Sequence, residues 1–576
     1  MKLRPDWRKI VNPEGDDLIS GVSTAPGRVR TFLKEPWKGT TPHSCNLTVY
    51  RNNLGRLLRC CARDLKGGAG EKVILDKFQK RTPVTFNWAF YLPESHPDYG
   101  LMTDNQKSNL VSQVTMGDSV HWMTVSDSME EDGRATSILN SWEKFIELAE
   151  QGKDIVVDLS ELRPHGQVNH KGLMASGPIG MGVNDSMQAR SFLSVYEAIA
   201  DHLRVGDVST LLVLLGTLNE TMRRGGFKKG IIVSQMDYEN PNIWDYLDTP
   251  LVELPGGTKK GVAFDKGVLD SPDLVQQIAE EAHYESLFLA KRQSKDIHAN
   301  VCMGIHLGDR ATCLIWRVNL GLVENFEALP KYFRQATRQL ALLHVNWRDE
   351  VGKKANIYPP VEEDRQIALC PMGLANLLAI NGISFQEFKD AGEAFLNGTP
   401  KETRAGELVY WLAKAYSEST QEADSVMVEY NLPMLERIHT VEPAQSHSYE
   451  TKDLLGKTTC RGIWAPYARK VRRVSDTQKN KMVNHGRVET STEVGAKLHQ
   501  EVCEIWYRIM KVAGRPHAIS FDSWEPIDSD WIKQFLDSPL QTKYYSDHDK
   551  IDQSYMRKRA GMCDITNPDQ CEVCAE

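Results

Sequence analysis

The feature that most constrains this chain is a repeated exchange between two hydrophobic patterns. Apolar residues at helical spacing fill Ser137–Gly152 and Phe192–Leu203, and a longer stretch of the same kind covers Phe326–Leu343. Short, nearly unbroken apolar runs stand apart from them at Asp154–Leu159, Gly230–Met236 and Ala311–Val318. A run of that length reads as a strand buried on both faces. Alternation of this kind over roughly 400 residues predicts an α/β fold with a mainly parallel sheet or barrel. In such folds the reactive residues sit at strand ends and on the loops beyond them. Residues 1–100 are polar and rich in Pro, Gly and Arg, with no repeat and no Gly-rich phosphate loop. Residues 468–495 are basic and polar and predict a solvated loop, and from Asp547 a polar stretch reads as a flexible tail.

Composition removes several functional classes. With 41% hydrophobic and 25% charged residues, the 576-residue chain is neither disordered nor low in complexity. Its apolar runs, such as that starting at Leu211, fall far short of the ~20 residues that span a bilayer. The first residues contain no apolar segment of the secretory kind, so no signal peptide is expected. The balance of 69 basic to 77 acidic residues argues against a coat for nucleic acid, though not against small phosphorylated substrates. The odd count of 11 cysteines suits a reducing, cytoplasmic setting.

The placing of those cysteines carries more than their number. Cys563, Cys571 and Cys574 lie in the last 14 residues, the latter two as a CxxC. Such a pair is a redox dithiol, half of a zinc site, or incidental. Zinc needs four ligands, and no histidine stands near these three, so no metal site is expected. A dithiol on a mobile tail can exchange disulfides with an internal site. Further in, Asn300-Val301-Cys302 is followed by Cys313 on a strand-like run. Free cysteines of this kind are most often small buried apolar groups. Tyr544 and Tyr545 are adjacent before the tail, a pair that ordinary aromatic packing also explains.

Seven stretches, taken in order, resemble the catalytic (large) subunit of ribonucleotide reductase. Leu162-Arg-Pro-His-Gly with Lys171-Gly-Leu-Met-Ala-Ser-Gly-Pro178 is similar to one family segment, and Arg223-Arg-Gly-Gly226 with Met236-Asp-Tyr-Glu-Asn-Pro241 to a second. Asn300-Val-Cys302 resembles the radical-cysteine motif N-x-C-x-E. Ala311-Thr-Cys313 with Asn319-Leu-Gly321 resembles the segment carrying one redox cysteine. Pro443-Ala-Gln-Ser-His-Ser448 stands where the family has its phosphate loop, Gln541-Thr-Lys-Tyr544-Tyr545 resembles K-T-x-Y-Y, and Cys563 to Cys574 resembles the cysteine tail. The resemblance covers residues 105–576 and implies three regions. Residues 1–104 are unmatched and lack an ATP cone, 105–546 form the catalytic domain, and 547–576 form a redox tail. The implied fold is a ten-stranded α/β barrel of the thiyl-radical type with a central finger loop and helical flanks.

The implied activity is reduction of ribonucleotides, as diphosphates, to deoxyribonucleotides. Cys302 would be the thiyl that abstracts the 3′ hydrogen, and Asn300 would hold a ribose hydroxyl. Cys313 would be one of two thiols oxidised to a disulfide, which Cys571 and Cys574 re-reduce by exchange, with thioredoxin or glutaredoxin behind them. Ala444, Gln445 and Ser446, and upstream Ser119, are expected to contact substrate. Tyr544 and Tyr545 would carry a radical inward from a metal-containing small (beta) subunit, so this chain itself would bind no cofactor. An adenosylcobalamin-dependent (class II) enzyme is the alternative source of the radical. A homodimer regulated by a dNTP effector is implied, with no membrane or nucleic acid partner. Other readings are a non-catalytic nucleotide-binding paralogue and a thiyl-radical enzyme with another substrate.

Two departures from the family pattern stand out. The Glu expected two residues after Cys302 is Gly304, so either His306, Asp309 or another base replaces it or the chemistry differs. The second redox cysteine is absent before the DSM-like Ser126-Asp-Ser-Met129, and Cys45 and Cys370 are the candidates considered as partner for Cys313. Formate could supply the electrons instead, but a retained dithiol tail needs a disulfide to reduce.

Overall fold

The computed structural model describes residues 19–20, 45–66, 70–117, 119–126, 138–167, 177–179, 191–221, 231–250, 254, 258–284, 287–294, 296–347, 359–443, 448–449, 451–473 and 481–546. The chain divides into two compact units. One joins the residues up to Leu47 to those from Gly261 onward, and the other is Thr48–Lys260.

The first unit is built on a ladder of strands. Ile315–Asn319, Gln366–Met372, Arg437–Val441, Pro516–Ser523 and Thr542–Ser546 lie side by side and parallel. The direction then reverses. Thr542–Ser546 pairs antiparallel with Phe288–Lys291, which pairs in parallel with Lys259–Phe264. At the other edge the two-residue strand Ile19–Ser20 runs antiparallel to Ile315–Asn319. Gln366–Met372 and Ile315–Asn319 are buried at every position, the pattern of strands covered on both faces. The cover comes from the helices between them. Arg404–Glu429 packs against Leu329–Trp347 and Ala496–Ala513. There Phe333 meets Tyr416 edge-on with centroids 5.3 Å apart, and the Trp506 indole N–H donates to the Tyr416 hydroxyl at 2.9 Å. Arg515 clamps Asp424 through both guanidinium nitrogens, at 2.6 and 2.7 Å.

Helix ends in this unit are closed by lysines. Lys543, fully buried, donates to the carbonyls of Ala282 and Leu287 at 3.2 and 3.1 Å, at the end of Pro272–Tyr284. Lys291 donates to those of Leu536 and Ser538 at 3.1 and 2.6 Å, at the end of Ser529–Asp537. Each ammonium meets the negative end of a helix and satisfies carbonyls that have no intrahelical donor. Burial pushes the Lys291 pKa down to about 8.

Two expectations change in this unit. The run predicted as one strand at 311–318 becomes a strand only from Ile315. Its first part pairs with Cys45–Val49, through an antiparallel bridge between Asn46 and Thr312 and bonds from Leu47 N–H to Ala311 O and Cys313 N–H to Cys45 O. The basic stretch predicted as a solvated loop contains an antiparallel hairpin, Lys470–Arg473 with Lys481–Asn484, and a short helix, Ser491–Val494. Val471 opposes Val483 in the register, and Val483 is fully buried, so a charge-rich stretch still holds an apolar anchor.

The second unit pairs Gly70–Ile74 in parallel with Ile232–Asp237. It also holds a separate three-stranded parallel sheet in which Asp154–Asp158 lies between Trp88–Tyr91 and Val120–Thr124. Helices Leu54–Lys66, Ile138–Glu150 and Val208–Thr221 pack with these strands, and Phe192–Val205 packs on the latter two helices. Phe145 is a core centre, taking the edges of Phe86, Trp88 and Tyr196 within 6.0 Å. The helix predicted at 192–203 starts at a capping box on Ser191 and stops at Gly206, whose φ of +80° suits glycine. Lys260 repeats the lysine device here, donating to the carbonyls of Tyr246, Leu247 and Thr249. Among the described residues, no helix is long and apolar enough to cross a membrane.

Candidate active site

Within the first unit, His298–Ala299 and His306–Leu307 form a two-residue antiparallel ladder, and the turn between them carries Asn300 and Cys302. Asn300 closes this turn three times. Its N–H donates to Ile305 O at 2.7 Å, its carbonyl accepts from Met303 N–H, and its side-chain oxygen accepts from Ile305 N–H at 3.1 Å. The closure holds Met303 at φ +63°, a conformation that costs a non-glycine residue on the order of 1 kcal/mol or more. The surrounding strands fix the turn by its backbone. Thr542 Oγ1 donates to Met303 O at 2.6 Å, Thr440 Oγ1 to Gly304 O at 2.6 Å, and Ala518 N–H to Gly304 O at 3.1 Å.

The strand pairing that brings Cys45 opposite Cys313 sets their thiols side by side, hydrogen-bonded to each other. Asn300 Nδ2 reaches the Cys45 sulfur at 3.6 Å. The hydrogen bond with Cys313, then burial, and then the charges of Cys313, Cys302 and Glu442 push the Cys45 thiol well above its ordinary range. Residues opposed in an antiparallel pair have Cα atoms about 5.5 Å apart, inside the range a disulfide spans. Cys370, the other sequence candidate, is placed differently. Its sulfur accepts the Glu442 N–H at 3.3 Å, and burial pushes its pKa up to about 12.

Glu442 was not legible as a site residue. It follows directly on the Arg437–Val441 strand and is buried. Its Oε1 accepts from Asn300 Nδ2 at 2.7 Å. Burial raises its pKa, against which the Arg317 cation and the Asn300 amide work. A methyl group placed on Gly304 would lie 2.5 Å from Glu442 Cγ, and 3.1 Å from both Thr440 Oγ1 and Val441 O. The absence of a side chain at 304 therefore makes room for this carboxylate. The two groups considered for that place from the sequence lie elsewhere. His306 is buried with its ring 6.5 Å from that of His517, and Asp309 stands 4.0 Å from Arg310.

Tyr544 and Tyr545 stack with centroids 4.0 Å apart, and the Tyr544 hydroxyl donates to that of Tyr545 at 3.2 Å. Tyr544 is buried and Tyr545 half-buried. Burial, then the charges of Tyr545 and Cys302, push the Tyr544 phenol well above its usual range, which places it within electrostatic reach of Cys302. Phe288 walls both rings, at 4.7 and 5.6 Å.

The other expected residues fall away from this cluster or outside the structure's reach. Ser119 is exposed in the second unit, at a bend before Val120–Thr124. Ala444, Gln445, Ser446, Cys571 and Cys574 lie outside the described residues. Among the described residues, no group of three or more His, Cys, Asp or Glu side chains is arranged to hold a metal.

No protein-family model matches the chain, and no curated protein matches it in sequence. Solved structures do. The chain is similar to the anaerobic ribonucleotide reductase at a TM-score of 0.36 and 11% identity, over 58% of this chain and 56% of that one. It is similar to the class Id ribonucleotide reductase alpha subunit of Actinobacillus ureae at 0.43 and 12%, over 74% and 83%. With a B-12-dependent (class II) ribonucleotide reductase the TM-score is 0.58 at 13% identity, over 89% of this chain and 78% of that one. That last likeness shows that this chain has the α/β fold of a ribonucleotide reductase catalytic subunit.

Proposed function

We propose that the chain reduces ribonucleoside diphosphates to deoxyribonucleotides, with a thiyl radical on Cys302 and the dithiol Cys45/Cys313 as the immediate reductant. The observation that carries this reading is the convergence of three cysteines and a tyrosine pair on one turn. Cys302 lies on the turn fixed by Asn300, Cys45 lies beside Cys313 and is reached by the same Asn300, and Tyr544 feels the charge of Cys302. A packing role explains any one of these and does not explain all of them together.

The reaction balances on these groups. Ribonucleotide and dithiol give deoxyribonucleotide, water and a disulfide, and the thiyl is regenerated at the end of each turnover. Cys571 and Cys574 reduce the disulfide by exchange and are themselves reduced by thioredoxin or glutaredoxin in the cytoplasm. Tyr545 and Tyr544 relay the oxidising equivalent from a radical-storing partner subunit, each phenol giving up an electron and a proton along its hydrogen bond. A phosphate loop at 444–446, a homodimer and a dNTP effector belong to the same reading.

The test is CDP and CTP reduction by the purified chain with dithiothreitol, first with adenosylcobalamin and then with a radical-generating small subunit. Turnover with the subunit and CDP supports the proposal. Turnover with adenosylcobalamin alone removes the relay role of Tyr544 and Tyr545. Nucleotide binding with no reduction in either case favours a non-catalytic paralogue.

A further inference from the structure

We propose that Glu442 is the proton acceptor for the ribose 3′-hydroxyl, delivered from a strand end into the space left by Gly304. The inference rests on the ribonucleotide-reduction reading and names a residue that the radical-cysteine turn does not itself supply.

Three observations carry it. The first is steric: a Cβ at 304 and Cγ of Glu442 would be 2.5 Å apart, so the two positions compete for one volume beside the Cys302 turn. The second is the hydrogen bonding. Among the described residues the one side-chain hydrogen bond to this carboxylate comes from Asn300, at 2.7 Å to Oε1. An ionised carboxyl has about four acceptor sites, so most of its capacity is left for a substrate hydroxyl. The third is position. The same Asn300 amide touches Glu442 and Cys45, so one side chain ties the carboxylate to both the radical cysteine's turn and the dithiol. The main chain is held as well, because the Glu442 N–H donates to Cys370 Sγ. A buried carboxylate without a full set of partners is costly, and sites of that kind are kept for chemistry more often than for stability.

The step is as follows. The Cys302 thiyl takes the hydrogen atom from C3′ and becomes a thiol, leaving a carbon radical. The 3′-hydroxyl passes its proton to Glu442. The 2′-oxygen leaves with its bonding pair, takes a proton from one thiol of Cys45/Cys313 and departs as water. C3′ is then a carbonyl and the unpaired electron lies on C2′. The dithiol next gives one hydrogen atom to C2′ and one electron to the carbonyl, becoming a disulfide. Glu442 returns its proton to the 3′-oxygen, and Cys302 returns the hydrogen atom to C3′.

The experiment compares wild type, Glu442→Gln and Glu442→Asp, each with the radical-generating partner and dithiothreitol. Turnover of CDP is measured beside CDP affinity by equilibrium dialysis. The Gln variant keeps an acceptor for Asn300 and cannot take a proton. Its turnover should fall about 10²–10⁴-fold, with affinity within about threefold of wild type. The Asp variant, which keeps the carboxylate, should recover at least about tenfold over Gln. A Gln variant within about threefold of wild-type turnover overturns the assignment. So does loss of affinity matching the loss of turnover in both variants, which makes Glu442 a structural group. A wild-type chain that consumes no ribonucleotide overturns the functional reading itself and this assignment with it, a result visible before any variant is made.

Discussion

Replacing Gly304 by Ala tests the geometry of the turn with a single methyl group. The new Cβ would lie 2.5 Å from Glu442 Cγ and 3.1 Å from Thr440 Oγ1 and Val441 O. Two of these neighbours belong to a paired strand and cannot retreat, because Thr440 Oγ1 is itself bonded to Gly304 O and Val441 lies in the ladder. Glu442 is the neighbour that must move, and its movement breaks the 2.7 Å bond from Asn300. Overpacking of this size costs about 1–3 kcal/mol, and a buried carboxylate that loses its donor adds about 1–3 kcal/mol. The expected loss of stability is therefore about 2–6 kcal/mol, and a displacement near 1 Å at the reacting groups lowers turnover about 10²-fold. Thermal unfolding and CDP turnover measure the two effects. The double variant Gly304→Ala/Glu442→Ala removes the clashing chain, so it should be more stable than the sum of the single changes by about 1–2 kcal/mol. Additive single changes, or Gly304→Ala with wild-type stability and turnover, would refute the placement of Glu442 in that volume.

Four further outcomes follow from the same structure. Cys302→Ala should abolish turnover, at least about 10³-fold, while leaving nucleotide affinity intact; wild-type activity in that variant removes the thiyl role. Alkylation mapping after one turnover without reductant should find Cys45 and Cys313 protected together, and Cys45→Ser should stop multiple turnover; protection of Cys370 in place of Cys45 would reassign the pair. Tyr544→Phe removes one hydroxyl and keeps the ring against Phe288, so unfolding should shift by less than about 1.5 kcal/mol while turnover falls with the partner subunit; unchanged turnover ends the relay. Acid should destabilise the first unit through His439 and His517, whose pKa values burial lowers to about 3. Unfolded, each titrates near 6.5, so the stability is complete above that pH and is lost as pH falls toward 3, by as much as about 4–5 kcal/mol each. Unfolding free energy measured by urea titration between pH 7 and 4 checks this, and a flat profile contradicts it.

How much of this was legible in the sequence depends on the reach of each interaction. Cys302, Asn300, Cys313, Tyr544 and Tyr545 announce themselves through neighbours one or two positions away. The helices at 138–150 and 192–205 follow from periodicity and caps, which are local too. Glu442 meets Asn300 across 142 positions, and nothing in the residues around Val441 marks a strand end that points at the turn. Gly304 was the available signal, because a missing side chain beside a reactive cysteine is a volume that some other residue must fill. Cys45 was one of two candidates in the sequence, and its pairing with Cys313 depends on a short antiparallel bridge that periodicity cannot reveal. The strand pair Lys470–Arg473 with Lys481–Asn484 was hidden by the basic run of the sequence there, although Val483 is buried.

The turn that carries Cys302 is gripped by its carbonyl oxygens. Thr440, Ala518 and Thr542 bind Met303 O and Gly304 O, groups that every amino acid possesses. The fold therefore specifies where this turn lies without reading which side chains it bears. Letters on the turn can be exchanged with those on the adjoining strand, a carboxylate vacating one element and arising on another, while the cysteine stays put. An active centre mounted this way can diverge in its alphabet and still keep its coordinates, so sequence comparison alone will undercount its relatives.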